Sequence, residues 1–186
     1  MGAKTLPSFT LRFPLSDLPR WEAAYWAACS DEDRRREAEI ETVTAPAVWR
    51  RGYLAKDDLL ALCRWKSPRA VPQAARNEPD FIRAVTQTAL AADSERLRIE
   101  VLTLLAGVGW PMASVILHFA FDNLYPILDV RALWAAGVED VSAVAYDFAL
   151  WQAYTRFCRS TVQGAGVTLR VLDRALWGYS AGMQRE

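Results

Sequence analysis

The chain has 186 residues and 52% of them are hydrophobic, so it can bury a substantial core as a globular protein. Its 22 basic and 22 acidic residues cancel, and bulk charge therefore gives no sign of a nucleic-acid binder. Three widely spaced cysteines, Cys29, Cys63 and Cys158, predict neither a disulfide framework nor a cysteine metal site. No apolar stretch suits a signal peptide or a membrane span, so we expect a soluble cytoplasmic protein.

Apolar residues recur with helical spacing along almost the whole chain, which predicts an all-α protein. Only FTLRF, residues 9–13, alternates as a strand would. The first helix is predicted within residues 16–29, where Ser16 or Asp17 would be the N-cap and Pro19 would lie in the first turn.

The middle of the chain carries clear signals for the ends of helices. A short amphipathic helix is predicted over residues 56–66, and it must end by Ser67 because Pro68 disfavours helix at the residue before it. Asn77 is predicted to cap a helix over residues 77–92. The remaining helices are predicted over residues 93–105, 111–121, 127–136, 146–162 and 167–179.

The segment LLAGVGWPMAS, residues 104–114, joins two predicted helices through a very short turn. Gly107 and Gly109 permit the positive φ angles of such a turn, and Pro111 stands where a new helix can begin. Two glycines around an aliphatic residue also leave backbone N–H groups bare at a helix N-terminus, where a phosphate can bind. The pattern predicts a helix-hairpin-helix in which Val108 is held between the two helices.

This hairpin and the segment after it resemble the helix-hairpin-helix DNA glycosylases, and most closely the 8-oxoguanine glycosylase branch. The resemblance implies an all-α glycosylase fold, with a helical barrel and a lobe formed from both chain ends. The chain would be a single unit, 1–186, with one sub-lobe from 1–54 and 146–186 and another from 55–145. The residues that carry the resemblance are Leu104, Gly107, Val108, Gly109, Ala113, Ile116, Tyr125, Pro126, Ile127 and Asp129.

Asp129 in YPILDVRAL matches the aspartate that the family has shortly after its hairpin. Cleaving an N-glycosidic bond builds positive charge on the sugar, so a fixed carboxylate can stabilise the transition state and orient a water. The alternative is an N-cap that contributes about 1 kcal/mol to helix stability. The position of Asp129 twenty residues after Gly109 favours the catalytic role.

Two further groups of residues are candidates for contacts with DNA. Asp173 and Trp177 are four residues apart and share a helix face, where the indole could stack on an extruded base while the carboxylate contacts its edge. Trp177 could equally pack in the core while Asp173 pairs with Arg170 or Arg174. Further candidates for the base pocket are Trp65 and Ser114, and those for contacts with the DNA backbone are Gly107, Val108, Gly109, Trp110, Arg64 and Lys66.

Departures from the family limit the chemistry that we expect. Pro111 occupies the position of the lysine nucleophile of lyase-active members, and Lys66 is the only plausible substitute amine. The three scattered cysteines cannot hold the iron-sulfur cluster of another branch. We therefore expect no required cofactor, although the resemblance implies a structural potassium or sodium ion bound by the backbone carbonyls of Thr103, Leu105 and Val108. His118, the only histidine, is interpreted as a satisfied helix residue.

The predicted function is hydrolytic excision of a damaged or modified purine from DNA by a monofunctional, monomeric glycosylase without membrane contact. Asp129 would stabilise the sugar cation and activate water. One alternative is a non-catalytic DNA-binding protein that uses only the hairpin. Another is a fold that was repurposed to bind a small molecule or a protein.

Overall fold

The computed structural model describes residues 6–184, which are predominantly helical and contain no β-strand. The predicted all-α class is confirmed, whereas the glycosylase fold remains a prediction. The described chain divides into two compact units, the first formed by residues 6–28 and 126–184 and the second by residues 29–125. The sequence had placed these divisions after residues 54 and 145. Within residues 6–184 no helix has the length and apolar character needed to cross a bilayer.

The helices follow one another with short connections. Brief 3₁₀ turns occur at Leu15–Asp17, Pro68–Ala70 and Val101–Leu104, and a π-helical turn occurs at Ile40–Thr44. The α-helices are α1 (Leu18–Ala28), α2 (Asp31–Glu39), α3 (Ala45–Arg51), α4 (Lys56–Lys66), α5 (Val71–Ala74), α6 (Pro79–Ala91), α7 (Glu95–Glu100), α8 (Trp110–Ala120), α9 (Val130–Ala135), α10 (Phe148–Ala165) and α11 (Leu169–Met183).

Proline and the residues before it set several helix ends where the sequence predicted them. Helix α4 spans Lys56–Lys66, and Ser67 leaves the helical region at φ −152° because Pro68 follows it. Pro19 lies in the first turn of α1. Ser16 and Asp17 belong to the 3₁₀ turn that leads into this helix, and Asp17 directly precedes its first residue, Leu18, so the predicted N-cap role stays a prediction.

Helix α2 was not predicted because its sequence, DEDRRREAE, has no apolar stripe. Local interactions form it instead. Ser30 and Asp33 make a capping box, in which the Asp33 amide donates to Ser30 Oγ over 3.1 Å and the Ser30 amide donates to Asp33 Oδ2 over 3.3 Å. An ion pair between Arg36 and Glu32 bridges one turn of the same helix.

The FTLRF segment is extended but forms no strand. The amide of Thr10 donates to the Ala136 carbonyl over 2.9 Å, and the amide of Arg12 donates to the Ala135 carbonyl over 3.0 Å. Gly137 has φ +93°, and a Cβ there would lie 2.7 Å from the Thr10 carbonyl oxygen. The N-terminal segment therefore pairs with the end of α9, and a glycine permits the close approach.

In the first unit, α11 packs against α1, α9 and α10. Contact between α1 and α11 is unusually close at Gly178, where a Cβ would lie 2.1 Å from the Trp21 carbonyl oxygen. In the second unit, α8 forms the centre of the core, since every residue from 112 to 119 is buried. It contacts α3, α4 and α7.

Candidate functional site

The predicted hairpin lies wholly within the second unit. Helix α7 tightens into the 3₁₀ turn before Leu105, and the Val108 amide donates to the Leu105 carbonyl over 3.0 Å. Gly107 has φ +80°, and a Cβ there would lie 2.9 Å from the Ala74 amide nitrogen. Val108 is only 4% exposed. These observations agree with a tight turn in which Val108 is buried and Gly107 is required by backbone geometry.

Gly109 differs from Gly107 because the fold does not demand a glycine there. It is the N-cap of α8 with φ −91° and ψ −176°, which other residues adopt readily. A Cβ at this position would meet nothing closer than Pro111 Cδ at 3.9 Å, and the residue is exposed. The space in front of the N-terminus of α8 is therefore open, while Trp110 beside it is half-buried.

Asn77 holds the hairpin in place, a role that the sequence did not reveal. Its Nδ2 donates to the carbonyls of Ala106 and Ala74, each over 2.9 Å, and its Oδ1 accepts from the Ala106 amide over 2.9 Å. The predicted N-cap role of Asn77 is wrong, because the N-cap of α6 is Glu78. The buried Asn77 side chain thus pairs with both the N–H and the C=O of Ala106, in the way that a neighbouring β-strand pairs with a residue.

The basic residues Arg64 and Lys66 lie in the last turn of α4, where they also complement the carboxyl end of the helix. Arg64 is exposed and Lys66 is half-buried. Between them the Trp65 ring packs edge to face on Phe119 of α8, with 5.4 Å between ring centroids. The CRWK segment is thus fixed to the helix that begins at the hairpin.

Ser114 and His118 are both fully buried on α8. Ser114 Oγ donates to the Pro111 carbonyl over 2.7 Å, and the side chain has no exposed surface in the described structure. Its role in the base pocket stays a prediction. His118 Nδ1 lies 2.6 Å from the Tyr125 carbonyl oxygen, which accounts for one of the two ring nitrogens.

The three carbonyls predicted to bind a monovalent cation belong to Thr103, Leu105 and Val108. The Leu105 carbonyl accepts the amide of Val108 inside the turn, and carbonyl oxygens can accept a second partner. Elsewhere in residues 6–184, no group of three or more His, Cys, Asp or Glu side chains could hold a metal ion. The monovalent cation at the hairpin carbonyls stays a prediction.

Asp129 lies in the first unit as the N-cap of α9. Its Oδ1 accepts the Arg131 amide over 2.8 Å, which fixes the orientation of the carboxylate. The buried residues Ile127 and Leu128 anchor the chain just before it, and Asp129 itself is half-buried. The carboxylate is therefore held rigidly at the edge of the core.

Asp173 and Trp177 lie on α11 in the same unit. Asp173 pairs with Arg170, as one alternative predicted, but this arginine is only 4% exposed, so the pair is not on the surface. Trp177 is half-buried and packs edge to face on Tyr25, with 5.4 Å between ring centroids. The guanidinium of Arg131 lies 5.3 Å from the centre of the Trp177 indole. Arg131 therefore connects the two residues. Its backbone amide donates to Asp129, and its guanidinium lies over the ring of Trp177.

The ionisation of Tyr154 on α10 is affected by both Asp129 and Asp173. Burial raises the pKa of Tyr154 well above its usual value, and the charges of Asp173 and Asp129 add to this effect together with Cys158. Its hydroxyl donates to the Ile127 carbonyl over 3.4 Å. Tyr146 has a pKa raised by burial and by Asp129, and its hydroxyl is buried without a hydrogen-bond partner among the described residues.

The structure therefore brings Asp129, Asp173 and Trp177 together in the first unit, while the hairpin, Arg64, Trp65 and Lys66 belong to the second. Arg131, Tyr146 and Tyr154 were missed, although Arg131 could have been suspected from its position two residues after Asp129. No protein-family model, curated protein or solved structure matches this chain. The glycosylase resemblance accordingly stays a prediction.

Proposed function

We propose that the protein is a DNA glycosylase that excises a damaged or modified purine by hydrolysis. The observation that carries the proposal is the connection of Asp129, through Arg131, to the half-buried indole of Trp177. A carboxylate for the sugar cation and an aromatic ring for the extruded base are the two components that base excision requires. Asp173 and its buried partner Arg170 supply polar groups on the same helix as Trp177.

In the proposed reaction, positive charge develops on the deoxyribose as the bond to the base breaks. The Asp129 carboxylate stabilises this charge and orients the attacking water. Its orientation is set in advance by the Arg131 amide, so little reorganisation is needed during the reaction. The product is an abasic site in an intact strand, because Pro111 offers no amine where a lyase nucleophile would be.

The open N-terminus of α8 supports a role in binding DNA. Gly109 is exposed, and neither its backbone angles nor its neighbours require a glycine. A residue without a side chain at a helix N-terminus lets a phosphate approach the backbone amides. Arg64 and Lys66 are further candidates for phosphate contacts, and the hairpin carbonyls are candidates for a potassium or sodium ion.

A non-catalytic DNA-binding protein is the second candidate. The capping bond from Asp129 to the Arg131 amide favours it, because this bond explains the aspartate without any chemistry. The two functions differ in whether the charge of Asp129 is needed.

The test uses duplex and single-stranded oligonucleotides with different damaged purines, followed by heat and alkali to reveal abasic sites. On any substrate that the wild type cleaves, Asp129→Asn should lose excision by about 10² to 10³-fold, as for other removed transition-state partners. Its DNA affinity and melting temperature should stay unchanged, because asparagine caps helices as well as aspartate does.

The matched control is Asp147→Asn, which changes the N-cap of α10 in the same unit. This variant should keep full excision. Equal activity of Asp129→Asn and wild type would refute the catalytic role. DNA binding without excision of any lesion would favour the second candidate.

A further inference from the structure

A cavity of about 610 Å³ opens in the first unit between the chain near Leu6 and the loop that follows α9. Val138 and Leu150 form a buried apolar wall, and Pro7 and Val144 continue it. A cavity of this size and composition suits a small organic ligand. Its lining includes none of the residues of the proposed glycosylase site.

Three carboxylates line this cavity, those of Glu139, Asp140 and Asp147. No lysine or arginine is among the described residues that line it. None of the three acids forms an ion pair anywhere in residues 6–184. The cavity therefore combines an apolar wall with negative charge that the described protein does not neutralise.

Two of these carboxylates are held in defined positions. Asp140 Oδ1 accepts the Ser142 hydroxyl over 2.6 Å, the Ser142 amide over 3.0 Å and the Ala143 amide over 3.2 Å. These bonds lower the pKa of Asp140 and keep it ionised, and the bond from the Ser142 hydroxyl has the largest effect. Asp147 Oδ1 accepts the Leu150 amide over 2.9 Å. In both residues these hydrogen bonds are accepted by Oδ1.

We propose that this cavity binds a small organic cation, with an apolar body against Val138 and Leu150 and an ammonium group among Glu139, Asp140 and Asp147. Charge complementarity identifies the occupant. The three carboxylates are exposed, so an ammonium group would form charge pairs that a neutral ligand cannot form, and an anion would be repelled by them. The proposal is independent of DNA excision, because it uses a different set of residues.

The experiment measures binding of three probes of similar shape to the full chain: phenylbutylammonium, phenylbutanol and phenylbutyrate. Two-dimensional NMR spectra should show amide shifts at Val138, Val144 and Leu150 with the ammonium probe. The alcohol should bind about fivefold or more weakly, as expected for partly exposed charge pairs, and the anion should not bind. Added salt should weaken binding of the ammonium probe, since salt screens exposed charges.

Two substitutions separate charge from shape. The double variant Asp140→Asn, Asp147→Asn keeps side chains that can accept the same turn and cap bonds, and its affinity for the ammonium probe should fall toward that for the alcohol, because only Glu139 keeps its charge. Ala143→Trp should block the cavity to both probes. The control is Asp93→Asn, an exposed acid of the second unit, which should change nothing.

Several outcomes would overturn the proposal. They are equal affinity for ammonium and alcohol, binding of the anion, no shift at the three wall residues up to the solubility limit of the ammonium probe, and undiminished ammonium binding in the double variant. Because the assay contains no DNA, its result stands apart from that of the excision assay.

Discussion

At the scale of single residues, Asp129 combines two roles that depend on different properties of one side chain. The cap requires an oxygen that accepts the Arg131 amide, and asparagine can supply it. Stabilising a sugar cation requires the negative charge, which asparagine lacks. Asp129→Asn therefore separates chemistry from structure, whereas Asp129→Ala would remove both at once.

Trp177 gives a prediction at the same scale, which rests on the proposed function. Trp177→Ala should lower the free energy of unfolding by about 1 to 3 kcal/mol, because the indole is half-buried. Trp151→Ala, which removes a tryptophan only 1% exposed, should cost about 3 to 5 kcal/mol. Urea denaturation of both variants measures the difference. Single-turnover excision should be lost in Trp177→Ala at temperatures where the variant is folded.

The opposite pattern would place Trp177 in the core alone. In that case Trp177→Ala would be as unstable as Trp151→Ala and, while folded, would excise at the wild-type rate. Asp173→Asn adds a second test, because normal excision by this variant would remove the predicted contact with the base edge.

At the scale of elements, the hairpin contains two glycines with different purposes. Gly107→Ala should destabilise the protein by about 1 to 3 kcal/mol, since its φ is +80° and its Cβ would meet the Ala74 and Ala70 backbone. Gly109→Ala should stay within about 0.5 kcal/mol of wild type, because its Cβ would enter open space. If a phosphate binds there, Gly109→Ala should weaken DNA binding about equally for all sequences. Melting curves and binding isotherms check both parts, and unchanged isotherms for Gly109→Ala would contradict the phosphate site.

The packing of α1 on α11 depends on another glycine. In Gly178→Ala the new Cβ would lie 2.1 Å from the Trp21 carbonyl oxygen, so the two helices must separate. We expect a loss of about 3 kcal/mol or more, at the upper end of overpacking effects. Gly164→Ala in α10 meets nothing within 4 Å and should stabilise the protein by about 0.5 to 1 kcal/mol. Thermal unfolding of both variants measures the contrast, and a neutral Gly178→Ala would show that the two helices are not packed this closely.

At the scale of the whole molecule, zero net charge limits how the protein can attract DNA. The stretch between Asp58 and Glu78 holds Arg64, Lys66, Arg69 and Arg76 and no acid. If these residues supply the phosphate contacts, a plot of log affinity against log salt concentration should have a slope no steeper than about −4. Fluorescence anisotropy with a labelled duplex measures it. A slope near zero would argue against DNA as the partner.

Much of the secondary structure could be predicted from the sequence because its signals are local. Pro68 ends α4 through the residue before it, and Pro19 marks the start of α1. Gly107 likewise indicates a tight turn, because its φ of +80° is one that glycine adopts readily. Helix α2 escaped prediction because it has no apolar stripe and is formed by a capping box and an ion pair.

The candidate site was predicted only in part. Asp129, Asp173 and Trp177 were identified as separate residues, and nothing local indicated that Arg131 and Tyr154 connect them. The full burial of Ser114 could not be predicted, because the exposure of a residue on α8 depends on which helices surround it. Contacts between residues far apart in the chain leave no mark in spacing or composition.

The sequence by itself determined the all-α class, both ends of α4 and the turn at residues 105–109, since prolines and glycines act on their immediate neighbours. Only the tertiary structure decided three contacts. Asn77 hydrogen-bonds to Ala106 of the hairpin, Gly178 lets the backbone of α1 pack closely on α11, and the Arg131 guanidinium lies near the Trp177 ring. Each of these contacts joins segments that are distant in the chain. Its geometry depends on how whole helices pack, which no short stretch of sequence encodes.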